Sequence, residues 1–162
     1  AIGYQESHWN TAAVSPTGVQ GIMMLTNVTA NHFGVQDRTN AQQSIRGGAE
    51  LFRLLQRNLA DVPEPDRTWM ALAGYNMGPT YIERARARAA RAGDDSTKWL
   101  VVSQHLREMG LESRAQGRTL QVGQALHYVQ QVRRYYDALV LATAAGNDNR
   151  VAFNDGSRRR VQ

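Results

Sequence analysis

The sequence has no cysteine, a single lysine (Lys98) and only 4 prolines among its 162 residues. Without cysteine there is neither a disulfide framework nor thiolate chemistry, although the compartment stays open. No apolar run approaches the roughly 18 residues that a membrane span requires. A phosphate loop, a glycine-rich dinucleotide fingerprint and an HExxH zinc motif are all missing. The four histidines, His8, His32, His105 and His127, are scattered without ligand spacing, so neither a metal nor another cofactor is expected. No basic segment followed by an apolar one stands at the start, so no signal peptide is visible. A chain that opens on Ala1, close before the well-patterned Glu6, reads as a piece of a longer one.

Hydrophobic residues make up 42% and charged residues 20% of the chain, an ordinary globular balance at a length that fits one domain. The net charge is +5, and 18 of the 19 basic residues are arginine. That balance favours anionic partners: nucleic acid, anionic lipid or an acidic cell-wall polymer. Its sign does not choose among them.

Periodicity reads as helix nearly throughout. After an opening helix, SPTGVQG (Ser15 to Gly21) is a loop, and Gly34 has the place of a C-cap after Phe33. Asn40 with Gln43 resembles a capping box ahead of a second strong helix, whose stripe is Ile45, Ala49, Phe52, Leu55 and Leu59. The pair Gly47-Gly48 costs that helix about 1 kcal/mol each relative to Ala, so close approach of another backbone is expected there. TWMALAGYN is a further helix ending near Gly78-Pro79, and YIERARARAARAG is a basic one closed by Gly93. Asp94, Asp95 and Ser96 offer caps for the segment around Trp99. The last helix keeps 3–4 spacing through Val122, Ala125, Val129, Val132, Tyr136, Leu139 and Thr143, and Gly146 is its expected end.

Four short stretches could carry chemistry. In AIGYQESHWN, Ile2, Glu6 and Trp9 fall on one helical stripe, which puts a carboxylate in an apolar row. Desolvation there would raise its pKa and let it donate a proton near neutrality; a solvated carboxylate at a frayed end is the plainer alternative. In GVQGIMML, Gly18 and Gly21 bracket Gln20 and allow a ligand close to the backbone, or Met23 and Met24 simply enter the core. In ALAGYNMG, Tyr75 and Asn76 end an apolar helix, as a buried ring and a cap also would. In HYVQQVRRYY, Tyr128 lies beside the Val129 stripe, the position of an ordinary core-edge tyrosine. Arg84, Arg88 and Arg91 share a helix face that would suit phosphate, or be solvated.

Each stretch alone is weak, but their order is not. Glu6-Ser7 in YQESHW, then Gly18 to Leu25, then QDRTNAQQSIRGGAELF, then Ala71 to Gly78, then Tyr128 in YVQQVRRYY resemble the catalytic domain of the family 23 lytic transglycosylases. The similarity spans residues 1 to about 141 and is closest to the membrane-bound F-type branch. It implies an all-α, goose-type lysozyme-like fold with a substrate cleft and a catalytic domain over 1–146; the polar, basic composition of 147–162 reads as a disordered tail. Met24 stands where most of the superfamily has Gln; the F-type branch also carries Met, and this removes one amide from the sugar-contact set.

By that resemblance the substrate is the peptidoglycan glycan strand, cut between N-acetylmuramic acid and N-acetylglucosamine without water to leave 1,6-anhydro ends. Glu6 is the acid and then the base. Ser7, Gln20, Met23, Met24, Tyr75, Asn76 and Tyr128 are the substrate-binding candidates, with Ser7, Tyr75 and the Met23 backbone orienting sugar and Glu6. No second Asp or Glu stands in the motif stretches, and Asp37 and Glu83 lie outside them. F-type relatives carry a solute-binding-like regulatory domain ahead of this one and a lipoprotein-type anchor, which implies the periplasm and the outer membrane; nucleic acid is not expected as a partner. Two other readings stand beside this one: a goose-type lysozyme that uses water, and a catalytically silent binding module.

Overall fold

The computed structural model describes the backbone of residues 1–158 and the side chains of residues 1–144. Seven helices follow in order among them: α1 Ile2–Ser7, α2 Asn27–His32, α3 Ala41–Arg57, α4 Asp66–Met77, α5 Pro79–Ala92, α6 Trp99–Ala115 and α7 Val122–Arg158. The described residues hold no strand, only isolated bridges from Gln20 to Val14 and to Leu25. The all-α expectation holds.

Helix α4 is the axis of the molecule. Met70, Ala71, Leu72, Ala73 and Gly74 are buried in succession, so no face of that stretch meets water, and α3, α5, α6 and α7 pack around it. Leu55, Val102, Leu106, Val129 and Val132 close the core from those helices. A second, smaller core of Ile22, Met23, Leu25, Ala30 and Val35 sits under the 18–25 loop, and Ile2 and Tyr75 touch both. Gly78 ends α4 with φ +94, and Pro79 opens α5 without needing an amide donor.

Several local readings change. In α3 the buried positions are Ser44, Gly47, Gly48 and Leu55, while Ile45 is exposed. The inward face is chosen by small size, which apolarity alone misses. A Cβ on Gly47 would lie 2.6 Å from Val35 Cγ2, and one on Gly48 2.7 Å from Met23 Cβ. Side chains of the second core, not a backbone, press on the two glycines. Asn40 does cap α3 by accepting from the Gln43 amide, but the Gln43 side chain turns outward to accept from the amides of Gln36 and Asp37. It pins the α2–α3 loop instead of completing a box. The α6 cap also comes from afar: Asp66 Oδ1 accepts from the Trp99 amide at 2.8 Å, while Asp95 is used by Thr97.

On α7, Val122, Ala125, Val129 and Val132 are buried, whereas Tyr136, Leu139 and Thr143 are exposed, because the helix runs past the body it packs on. Gly146 does not end it, and α7 continues to Arg158. A glycine inside a helix costs only about 1 kcal/mol, and no proline follows. The basic tail expected over 147–162 is thus helical as far as Arg158, and 159–162 lie outside the described residues.

Candidate active site

Glu6 lies in the last turn of α1, and that helix stops at Ser7 because His8 and Trp9 both take left-handed backbone conformations, φ +52 and +66. The turn carries Trp9 off the helical stripe and leaves it half exposed, at 52%. The expected Ile2–Glu6–Trp9 row therefore does not form. The group that meets the Glu6 carboxyl comes from distant chain instead. Such conformations cost residues other than glycine of order 1–3 kcal/mol and persist only where the surroundings hold them. Met24, φ +47, is a third case in the neighbouring loop.

That loop is built to be held. Ser7, buried, bridges from its hydroxyl to the carbonyls of Gly3 at 3.2 Å and Ile22 at 3.0 Å, tying α1 to residues 20–25. Gln20 and Leu25 exchange backbone hydrogen bonds at 3.1 and 2.9 Å. Arg38 donates to the carbonyls of Gly18 at 2.8 Å and Leu25 at 2.9 Å, and the buried Ser44 hydroxyl accepts from the Met23 amide at 3.3 Å. Gly21 has φ +82, and a Cβ there would collide with the Arg38 carbonyl oxygen, so only glycine fits.

Met23 thereby presents its carbonyl to the Tyr75 hydroxyl, which donates to it at 2.9 Å. The Tyr75 ring lies nearly parallel to that of Tyr128, 9° between planes and 6.5 Å between centroids. From α7 the Tyr128 hydroxyl donates to Glu6 Oε1 at 2.6 Å. Glu6 is half-buried as a residue, but its carboxyl end is largely removed from water. Desolvation lifts its pKa from the ordinary 4.5 to about 7, against the opposing pull of the Tyr128 hydrogen bond. Burial, reinforced by the Glu6 charge, pushes both tyrosine hydroxyls far up, so they remain donors at any working pH. Among the described residues, Glu6 is the only carboxylate whose charge bears on either tyrosine, and none bears on Glu6.

Of the eight candidate residues, four meet here: Glu6, Tyr75, Tyr128 and the Met23 backbone. Ser7 lies beneath them, its hydroxyl spent on backbone carbonyls. Gln20 and Met24 are partly exposed on the loop, and Asn76 is partly exposed one residue after Tyr75. Sequence reasoning missed Arg38 and Ser44. A lone arginine carries no signal, while Ser44 could have been found as the first small residue of the Ser44, Gly47, Gly48 face. The Arg84–Arg88–Arg91 stripe is interrupted, since Arg88 is bound through two contacts of 2.7 Å to Glu112 of α6.

A carboxyl that holds its proton near neutrality, set by a phenol and with no other carboxylate among the described residues shifting it, suits a general acid that becomes a base. Residues 1–98 match the transglycosylase SLT domain family, and the chain belongs to that family. Relatives named membrane-bound lytic murein transglycosylase F share its sequence. That of Hahella chejuensis is 48% identical across 96% of this chain, and that of Marinobacter nauticus 45% across 94%. The Alcanivorax borkumensis relative is 45% identical across 95%. The chain spans only about a third of their length, 31%, 32% and 34%. Among the described residues no helix is long and apolar enough to cross a membrane.

Proposed function

We propose that the chain is a peptidoglycan lytic transglycosylase that cleaves the β-1,4 bond from N-acetylmuramic acid to N-acetylglucosamine. The observation that carries this is the Glu6 carboxyl, its pKa lifted to about 7 beside Tyr128, with no second carboxylate among the described residues shifting it. Hydrolysis by inversion would need a partner carboxylate roughly 6.5–9.5 Å away to activate water. An intramolecular attack needs only one group used twice.

Glu6 gives its proton to the glycosidic oxygen as the bond from that oxygen to C1 breaks. The resulting carboxylate takes the proton of the muramoyl C6 hydroxyl while O6 bonds to C1. Glu6 ends protonated, as it began, and no water is consumed. The 2-acetamido oxygen assists at C1, oriented by Tyr128 or by the Asn76 amide, and Gln20 and Met24 meet the sugars from the loop. Tyr75 acts through Met23, fixing the wall that faces Glu6. The names of the relatives support attachment to the cell envelope, and a wall substrate favours the periplasmic side of the outer membrane, with a regulatory domain in the longer protein.

The test is mass spectrometry of muropeptides released from purified sacculi. Products ending in 1,6-anhydromuramic acid from the wild type, and none from a folded Glu6→Gln variant, are expected. Absence of any product from folded wild-type protein would leave a binding module instead.

A further inference from the structure

The loop that carries Gln20, Met23 and Met24 is fastened at both feet by one nitrogen. Arg38 Nη1 donates to the Gly18 carbonyl at 2.8 Å and to the Leu25 carbonyl at 2.9 Å. The neighbouring Asp37 carboxylate is taken by the Thr39 amide and hydroxyl, at 2.8 and 2.6 Å, so Arg38 spends its charge on carbonyl dipoles. Hydrogen bonds from a charged donor are stronger than those between neutral groups. The main chain of Arg38 presses on the same loop, since its carbonyl fills the place where a Gly21 Cβ would be. Residue 38 thus grips the loop from both its backbone and its side chain.

The inner side of the loop is held without Arg38. Ile22, Met23 and Leu25 are buried in the second core, and Ser7 and Ser44 tie the Ile22 carbonyl and the Met23 amide to α1 and α3. The outer side depends on the guanidinium. Gly18 is exposed, and Gln20 and Met24 are partly so. Met24 keeps a left-handed conformation, φ +47, that costs a residue other than glycine and persists only where its surroundings hold it. The Glu6–Tyr128 bond joins α1 to α7 and does not pass through this loop. Arg38 therefore bears on where a sugar is received, and not on the proton of Glu6.

We propose that Arg38 is a positioning residue for the glycan strand, holding the 18–25 loop in the form that receives the sugar. The identity of that strand rests on the transglycosylase reading. A site whose receiving form is only partly populated binds more weakly by that fraction. Loss of Arg38 is accordingly felt in binding rather than in proton transfer.

The test is calorimetric titration of soluble, uncross-linked glycan strands into Glu6→Gln and into Glu6→Gln/Arg38→Ala, so that no strand is cut. Binding at least about tenfold weaker in the double variant is expected. With Glu6 restored, Arg38→Ala raises KM by a similar factor while kcat changes by less than about threefold. The alkaline limb of its pH–rate profile stays in place. Amide exchange at Gln20 and Leu25 quickens, and exchange within α4 does not. A general loss of folding would instead lower kcat at constant KM and quicken exchange throughout.

Should Arg38→Ala fail to fold, Arg38→Lys keeps a donor at the end of the side chain, and about threefold weaker binding is expected. Equal affinities in the folded pair overturn the proposal. So do strands that Glu6→Gln does not bind, a kcat loss without a change in KM, and failure of both variants to fold. Reducing ends, or no products, from wild-type digestion of sacculi would overturn the transglycosylase reading instead, and the two affinities would still decide the role of Arg38.

Discussion

Tyr128 and Glu6 stand 122 positions apart in the chain, and the hydroxyl of one donates to the carboxylate oxygen of the other at 2.6 Å. The bond sets the protonation of Glu6 as well as its position, because it favours the charged form and opposes the rise caused by burial. Tyr128→Phe removes that opposition. The Glu6 pKa then rises above about 7, and the alkaline limb of the pH–rate profile moves to higher pH. Lost orientation lowers kcat by about tenfold at the optimum. Rates on sacculi across pH check this, and an alkaline limb that stays or moves down contradicts it.

The same raised pKa couples folding to pH. An acid whose folded pKa exceeds its unfolded one binds more protons when folded. Its contribution is fully present below about 4.5 and is lost as pH rises through about 7. From the two values the loss is about 3 kcal/mol at most. Glu6→Gln has no charge to desolvate, so it is more stable than wild type at pH 8 by up to that amount and matches it near pH 4. Denaturant unfolding at the two pH values gives the difference directly. Equal stabilities at pH 8 would mean that Glu6 titrates normally.

Gly48→Ala is expected to destabilise the fold despite the better helix propensity of alanine. The propensity gain is about 1 kcal/mol. The new Cβ would sit 2.7 Å from Met23 Cβ, which is not a flexible side-chain end. Overpacking of this kind costs typically 1–3 kcal/mol and wins. Displacing Met23 also disturbs the carbonyl that holds Tyr75, so activity falls along with the melting temperature. A variant as stable and active as wild type would show that the loop yields freely.

Asp66 supplies the cap of a helix that begins 33 positions later. Asp66→Ala is expected to cost about 1–2 kcal/mol of stability. The pH–rate profile should not move, since Asp66 does not bear on Glu6. Thermal unfolding and the profile together separate this structural role from a catalytic one.

Helix ends and chain order were legible in the sequence because they rest on local chemistry. Asn40, Gly34, Gly78-Pro79 and Gly93 act within a few residues of themselves, and each lies at a helix boundary. The partner of Glu6 was not legible as such, since nothing local to Tyr128 points across 122 residues. The start of the α3 face was misread because Ser44, Gly47 and Gly48 face inward by smallness and Ile45 advertised the wrong side, whereas Phe52, Leu55 and Leu59 do meet the core as expected. Trp9 was misplaced because two non-glycine residues in the left-handed region end α1 without any residue type that announces it. Glu6 was singled out as an apolar-stripe carboxylate, yet that stripe does not form and its hydrogen-bond partner lies far along the chain.

In the proposed reaction one carboxyl does both proton transfers and water takes no part. Digestion of sacculi in water enriched in oxygen-18, followed by mass spectrometry of the muropeptides, tests it directly. 1,6-Anhydromuramic acid ends without label are expected. Reducing ends carrying one oxygen-18 would contradict it, showing that water attacks C1 and that a second group besides Glu6 must activate it.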